Sequence, residues 1–372
     1  MKKITAVILA VILTLFTAVT AFAAPLPQDA GARAIPNVMV ADEFRAADTA
    51  AYTQAQGEKI ITLDLVSDTH IGASNASSYV RPCIERINAE KDQTDGVIVA
   101  GDLTQSGYED EFSDAYAILR GYTGENMVTV NGNHDYGRWN QSGKMRPVAI
   151  KYRNEFMGIT TQKDYYSTDI NGYKVVVMGS EGNRPNSADI SDEQLDFVRA
   201  EVAEGARGGK PVFVVCHWPM RNTHCERISW PIIPGGALDS ATTRKLQNIL
   251  SQYDNIFYIS GHLHAGLNGR LTRRLFGGCC VEQRNGITCI NIPSLGRGNH
   301  LGVRAKGTGM RLTVYGDKAV VEGRNYYTGE WLDNYVYEIS LKGASPVSAA
   351  PELPDAAQPE SPALPEDEKT AA

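Results

Sequence analysis

The chain has 372 residues, 42% of them hydrophobic and 21% charged, an ordinary balance for a soluble globular protein of one large or two smaller domains. Its net charge is -7 and no Lys/Arg block stands out, which argues against a nucleic-acid-binding surface. A small anionic substrate drawn in by local positive charge is still compatible with that balance.

Lys2 and Lys3 precede the apolar run Ile4–Thr20 and then Ala21-Phe22-Ala23. A basic start, an apolar middle and small residues at an A-x-A site describe a secretory signal peptide over residues 1–23. The alternative is an uncleaved anchor, because the run is nearly long enough to span a membrane. The expectation is export, secreted or periplasmic, with no stable membrane anchor. Residues 24–59 are Ala-rich and polar and read as a linker with one short helix at most.

From Ile60 the pattern changes. "KIITLDLVSD", "GVIVAGD", "NMVTVNGNHD", "GYKVVVMGSEG", "KPVFVVCHWP" and "NIFYISGHLH" are apolar runs rich in β-branched residues that stop at polar turns, and they read as strands. Amphipathic helices are expected near 78–91, 108–120, 191–204 and 240–252, the third opened by a capping box of Ser191 and Gln194 with Ile190 and Leu195 as its staple. Strands alternating with helices imply an α/β fold with parallel or mixed strands. After residue 286, "GITCINIPS", "MRLTVYGDKAVVEGRNY" and "NYVYEISL" follow without helices between them, and a second, antiparallel-rich sheet is expected there. Gly316-Asp317 marks a turn. From about Gly343 the Pro/Ala/Glu-rich sequence is too poor in apolar residues to pack and reads as a disordered tail over 343–372. Of the six cysteines, Cys83 and Cys216 fall in periodic patterns and read as buried thiols. Cys225, Cys279 and Cys280 fall in loop-like sequence and are the better disulfide candidates.

Five strands end alike. "LVSDTH" holds Asp68 and His70, "IVAGD" Asp102, "VNGNHD" Asn133, His134 and Asp135, "VVCHW" His217, and "YISGHLH" His262 and His264. Ligands of open α/β sheets bind beyond the carboxyl ends of strands, so five such loops can converge on one crevice. Imidazole, carboxylate and amide oxygen suit Mn, Fe or Zn better than a thiolate-selective metal. In an extended segment residues i and i+2 face the same way, so Asp68/His70 and His262/His264 can each serve one centre. With Asp102, Asn133 and His217 they make seven ligands, too many for one tetrahedral ion and suited to two ions sharing a carboxylate. Gly101, Gly132 and Gly261 are expected to let the backbone turn sharply beside them. A lone histidine or Gly-Asp at a strand end is usually structural. Here their co-occurrence on successive strands carries the reading.

The ordered blocks "SDTH", "GDLT", "GNHD", "CH" and "GHLH" resemble the calcineurin-like metallophosphoesterases over roughly residues 60–340. The resemblance implies a four-layer αββα sandwich, two mixed sheets flanked by helices, with the domain at 60–342. It implies two divalent metal ions, Mn, Fe or Zn. One would be held by Asp68, His70 and His264, the other by Asn133, His217 and His262, with Asp102 between them. It implies His134 as the catalytic histidine beside the leaving group, oriented by Asp135. Leu103, Thr104 and Gln105 follow Asp102 where purple acid phosphatases have a tyrosine, so no tyrosinate ligand is expected. "GDLTQSG" is similar to the class III phosphodiesterase branch. A small phosphoester is the expected partner, attacked by metal-activated hydroxide. A phosphomonoesterase on the same site, or a non-catalytic exported binding protein of the same fold, is the alternative.

Arg138 and Trp139 after Asp135, and Arg221, His224, Arg227 and Trp230 in the long 218–239 segment, are candidate substrate contacts. Arg297 and His300 in "SLGRGNH" are weaker ones. Tyr326, Tyr327 and Trp331 read as packing residues.

Overall fold

The computed structural model describes residues 38–40, 59–138, 141–184, 186–229, 236–267, 279–300 and 302–342. The expected signal peptide and tail, most of the expected linker, Trp139 and Trp230 lie outside them. No helix among the described residues is long and apolar enough to cross a membrane.

In chain order the elements are β1 (Val38–Val40), β2 (Lys59–Val66), α1 (Ala76–Ala89), β3 (Gly96–Val99), α2 (Glu109–Leu119), β4 (Met127–Thr129), α3 (Arg146–Met157), β5 (Tyr166–Ile170) and β6 (Tyr173–Met178). Then come α4 (Asp192–Gly205), β7 (Val212–Cys216), a single turn at Glu226–Ser229, α5 (Ser240–Leu250), β8 (Ile256–Ser260), β9 (Val281–Arg284), β10 (Ile287–Asn291), β11 (Thr308–Tyr315), β12 (Lys318–Asn325) and β13 (Glu330–Ser340). A seven-stranded sheet runs β1-β13-β12-β11-β2-β3-β4 and a six-stranded sheet β5-β6-β7-β8-β10-β9. The pairs β2/β3, β3/β4, β6/β7, β7/β8 and β8/β10 are parallel.

Alternation within the strands builds the layers. Leu63, Leu65, Ile98, Val175, Val177, Phe213, Val215, Phe257, Ile259 and Leu312 from both sheets form one apolar cluster, whose buried members all lie outside the helices. The residues between them, Val97, Val99, Val176, Val214 and Tyr258, join a second cluster with the apolar faces of α1, α2, α4 and α5. Strands buried on both faces need no polar alternation, which is why they read as nearly continuous apolar runs. The result is two mixed sheets facing each other with helices outside.

The C-terminal strands do not form the second sheet expected for them. β11 pairs antiparallel with β2, joining β11–β13 to the sheet that begins the fold, while β10 pairs parallel with β8 in the other. The hairpin at Gly316-Asp317 is as expected. The stretch read as linker contributes β1, antiparallel to β13. α3 escaped the pattern because only Ala149, Ile150 and Arg153 are buried on it, although Pro147 in its first turn and Gly158 (φ 65) at its end are a helix start and stop.

The expected capping box turns out differently, and a second cap was not foreseen. Ser191 accepts the Gln194 N–H (3.1 Å), but the Gln194 side chain bonds both backbone groups of Gly179 instead of reaching back. Asp239 caps α5, accepting from the N–H groups of Ala241 (2.8 Å) and Thr242 (3.0 Å) and from the Thr242 hydroxyl (2.6 Å). Burial works to raise this carboxyl, and those hydrogen bonds outweigh it and lower it. Asp239→Ala is expected to cost about 1 kcal/mol at neutral pH in urea denaturation. A lowered carboxyl contributes stability above its unfolded value and loses it as pH falls through the folded one, so the gap between wild type and variant should close below about pH 4. A gap that persists at lower pH would count against the charged cap.

Cys83 and Cys216 are buried as expected, their thiols pushed up by burial to about 12 and about 11. Cys225, Cys279 and Cys280 are buried too. Cys279 donates its S–H to the Val281 carbonyl, and Cys280 donates to the Tyr337 hydroxyl at 3.0 Å, so these two act as thiols and not as a disulfide. Tyr326 is buried as expected, whereas Tyr327 and Trp331 are exposed, Trp331 lying between the guanidinium groups of Arg311 (5.1 Å) and Arg324 (4.1 Å).

Candidate metal centre

Parallel pairing puts the carboxyl ends of β2, β3 and β4 side by side in one sheet and those of β7 and β8 side by side in the other. Short bonds tie these ends together. Asp68 N–H donates to the Gly101 carbonyl (3.0 Å), His70 N–H to the Asp102 carbonyl (3.0 Å), and Gly261 N–H to the His217 carbonyl (3.0 Å). Across the sheets, His217 Nδ1 donates to the Ala100 carbonyl (2.8 Å), and His262 N–H to Asp68 Oδ2 (3.1 Å).

The side chains fall into two groups, Asp68, His70, Asp102 and His264, and Asp102, His217 and His262. In the first, His264 Nε2 is 3.0 Å from both Asp68 Oδ1 and His70 Nε2, and His70 Nε2 is 3.7 Å from Asp102 Oδ2. In the second, His217 Nε2 is 3.3 Å from Asp102 Oδ2 and 3.2 Å from His262 Nδ1. Asn133 stands between Gly132 and His134, both of which touch Asp102. Each carboxylate is half committed. Ser67 Oγ–H and the His262 N–H hold Asp68 Oδ2, and the His134 N–H holds Asp102 Oδ1. That leaves one oxygen of each for the cluster.

This arrangement fits metal ions. Asp68 Oδ1 and Asn133 Oδ1 are buried without a hydrogen-bond partner, a costly state unless a cation takes their lone pairs. Carboxylate, imidazole and amide oxygen are the donors of Mn, Fe and Zn sites. The described residues thus contain a possible two-metal cluster with Asp102 common to both halves. Burial alone would raise Asp68 and Asp102, but neighbouring histidines, His264 for Asp68 and His217 for Asp102, carry both well below the usual range. Burial brings His70 down to about 4, so its ring is a lone-pair donor at neutral pH. Burial also acts to lower His217, but Asp102 overrides it and lifts that ring to about 9.

The backbone gets the ligands there in an unexpected way. Asp68, His70, Asp102, His262 and His264 all have left-handed φ values, between 48° and 71°. The i, i+2 pairs therefore meet through turned backbone, not through extended strand. Each such residue costs on the order of 1 kcal/mol, strain that tends to collect at functional sites. The glycines divide by role. Gly101 supplies a turn (φ 93), while Gly132 and Gly261 are there for close approach, since a Cβ would stand 2.2 Å from Asp102 Oδ1 and 2.0 Å from Ser67 Oγ.

His134 lies beside the cluster, its ring edge-on to His70 with centroids 4.6 Å apart. Burial lowers its imidazole. Asp135, expected to orient it, makes no hydrogen bond to that ring. That carboxylate accepts from the N–H groups of Leu103 (3.2 Å), Thr104 (2.8 Å) and Gly132 (2.8 Å) and from the Thr104 hydroxyl, so it fastens the loop that carries Asp102. The Gln105 carbonyl holds the ring instead, 2.7 Å from His134 Nδ1. Sequence reasoning missed Gln105 because a backbone acceptor leaves no residue-type signal, and missed Ser67, whose place before Asp68 was the available clue.

Of the candidate substrate contacts, Arg138 stands near enough for its charge to lower His134. Arg221 and His224 do not join the cluster. Arg221 lines an open pocket of about 220 Å³ with Arg244 and Arg284. His224 is buried, its Nδ1 donating to the Cys279 carbonyl (2.8 Å) and its N–H to Glu282. Arg227 is exposed beside Glu226. His300 lies over His264, with centroids 6.1 Å apart and planes 26° from parallel.

Comparison with known proteins agrees with this geometry. The chain is 26% identical over 213 residues to a protein named probable cyclic nucleotide phosphodiesterase from Rhodococcus erythropolis, covering 54% of this chain and 63% of that one. Its fold is similar to a dimetal phosphatase from Danio rerio (TM-score 0.55, 12% identity, 77% of this chain and 100% of the other). It is also similar to the purple acid phosphatase PPD1 of yellow lupin, Lupinus luteus (TM-score 0.55, 15% identity, 77% and 55%). The profile of the calcineurin-like phosphoesterases matches residues 61–266, more than half of the sequence and all of the ligand-bearing strand ends. The chain belongs to the calcineurin-like phosphoesterase family.

Proposed function

We propose that this protein is an exported metal-dependent phosphoester hydrolase that cleaves phosphodiesters. The observation that carries the reading is Asp102 Oδ2, set 3.7 Å from His70 Nε2 and 3.3 Å from His217 Nε2, so that one carboxylate serves both halves of the cluster. Asp68, His70 and His264 would hold one ion, and Asn133, His217 and His262 the other. Two bound divalent ions would supply a hydroxide nucleophile near neutral pH and neutralise the phosphoryl oxygens during in-line attack. His134 handles the proton. The Gln105 carbonyl keeps a hydrogen on Nδ1, so Nε2 is the atom that exchanges a proton with the departing alkoxide. No serine or cysteine nucleophile is required. The diester preference is supported by the printed name of the Rhodococcus relative and by "GDLTQSG" after β3.

Turnover of bis(4-nitrophenyl) phosphate and 4-nitrophenyl phosphate, after reconstitution with Mn, Zn or Fe, tests this. The diester is expected to be the better substrate. His134→Gln should lower kcat on it by roughly 10²–10⁴-fold with metal content retained. Faster monoester turnover with every metal would favour a phosphomonoesterase. Bound metals with no hydrolysis of any phosphoester would favour a binding protein. For export, N-terminal sequencing of the mature chain should begin at Ala24, and an intact Met1 end would oppose it.

A further inference from the structure

The connection between β10 and β11 takes no part in the proposed hydrolysis, yet it is fastened to two ligand-bearing loops. Ser294 Oγ–H and the Gly296 N–H donate to the Asp68 carbonyl (3.0 and 3.1 Å), and the Leu295 N–H donates to the Ser67 carbonyl (2.9 Å). A Cβ on Gly296 would stand 1.9 Å from the Thr69 carbonyl oxygen, so only glycine permits that approach. Farther on, the His300 N–H donates to the His264 carbonyl (2.6 Å) and the Val303 N–H to the Leu267 carbonyl (2.9 Å). Asn299 is buried within the loop, its Oδ1 accepting from the Ser294 N–H (2.8 Å) and its N–H donating to the Arg304 carbonyl (3.4 Å). A solvated connection needs no such anchoring.

What the loop presents is positive charge. The span 296–304, "GRGNHLGVR", contains no Asp or Glu. Arg297, His300 and Arg304 are exposed, and both guanidinium groups stand near enough to act on the His300 ring, which itself lies over His264. Among the described residues no carboxylate pairs with either arginine. In a chain of net charge -7, like charges held together by a fixed loop repel unless an anion sits among them.

We infer that Arg297, His300 and Arg304 form an anion subsite on the His264 side of the cluster, and that the substrate is a phosphodiester bearing a second phosphoryl group on one of its alcohols. Guanidinium groups match phosphoryl oxygens in geometry as well as charge. The inference rests on the phosphodiester reading above.

The test compares bis(4-nitrophenyl) phosphate with a 4-nitrophenyl phosphodiester whose second alcohol carries a phosphomonoester, using the metal-loaded wild type and the Arg297→Gln/Arg304→Gln double variant. The wild type is expected to prefer the phosphorylated diester in kcat/KM. The double variant should lower the ratio between the two substrates about tenfold, mostly through KM, as expected for two exposed charge contacts. No preference in the wild type, or an equal fall with both substrates, would overturn the subsite. A second arm keeps it separate from the hydrolysis reading: calorimetric binding of inorganic pyrophosphate and of inorganic phosphate to the same two metal-loaded proteins. If no diester is hydrolysed but the double variant loses a preference for pyrophosphate, the subsite stands and the hydrolysis reading falls. An unchanged preference in the variant overturns the subsite whatever the turnover.

Discussion

Asp102→Ala is expected to abolish phosphodiester hydrolysis, lowering kcat/KM about a thousandfold or more, and to strip metal from both halves of the centre together. The reason is the position of one atom. Asp102 Oδ2 is the oxygen within reach of both His70 and His217, while Oδ1 is already taken by the His134 N–H. Removing the carboxylate takes its negative charge from both halves, and no other carboxylate reaches both: Asp68 belongs to the first half alone, and Asp135 is engaged by Leu103, Thr104 and Gly132. Metal analysis of purified wild type and variant, alongside turnover of bis(4-nitrophenyl) phosphate, reads both effects. A variant that keeps two equivalents of metal and near-normal turnover would sink the shared-carboxylate geometry. His134→Gln is the informative contrast, since it should lose rate and keep metal.

The largest effect on stability is expected at Asp64, on β2. This carboxylate is fully buried and accepts from Arg311 Nε (2.8 Å) and Nη2 (3.1 Å) and from the Tyr326 hydroxyl (2.6 Å). Asp64→Ala takes from a buried guanidinium its paired carboxylate and leaves the Tyr326 hydroxyl only the Met310 carbonyl (3.0 Å), and breaking a buried ion pair costs about 3–5 kcal/mol in general. Arg311 also reaches Glu90 (3.2 Å), which Arg324 bonds as well, so the loss should lie toward the lower end of that range. Urea denaturation measures it, and Arg311→Met in the Asp64→Ala background should recover part of the loss by removing the stranded charge. A loss below about 1 kcal/mol would show that Asp64 contributes no more than a surface pair does. Because Asp64 lies four residues before Asp68 on the strand that pairs with both β3 and β11, the variant also reports how far the cluster depends on that strand being held.

Much of the architecture was legible because it follows from local rules. Apolar runs ending at polar turns located β2, β3, β4, β6, β7, β8 and β10 to within a few residues, and amphipathic periodicity located α1, α2, α4 and α5. Elements with weak local signals escaped. α3 buries three residues, and β5 and β9 are short and partly polar. The pairing of β11 with β2 was illegible for a different reason: the partners are some 250 positions apart, and nothing in an alternating strand names the strand it will lie beside.

The residue types and their order were properties of the sequence alone: Asp, His and Asn at successive strand ends, with glycines set among them. From those types the sequence determined which donors a metal would meet, because ligand chemistry belongs to the side chain. Tertiary structure decided how the donors are aimed. It put five of these residues in left-handed backbone, gave one oxygen of Asp68 and of Asp102 to protein donors, and set the Gln105 carbonyl, not Asp135, against the His134 ring. It also brought the 294–304 loop to His264. Such features depend on backbone angles and on groups distant in the chain, which exist only once both sheets have packed.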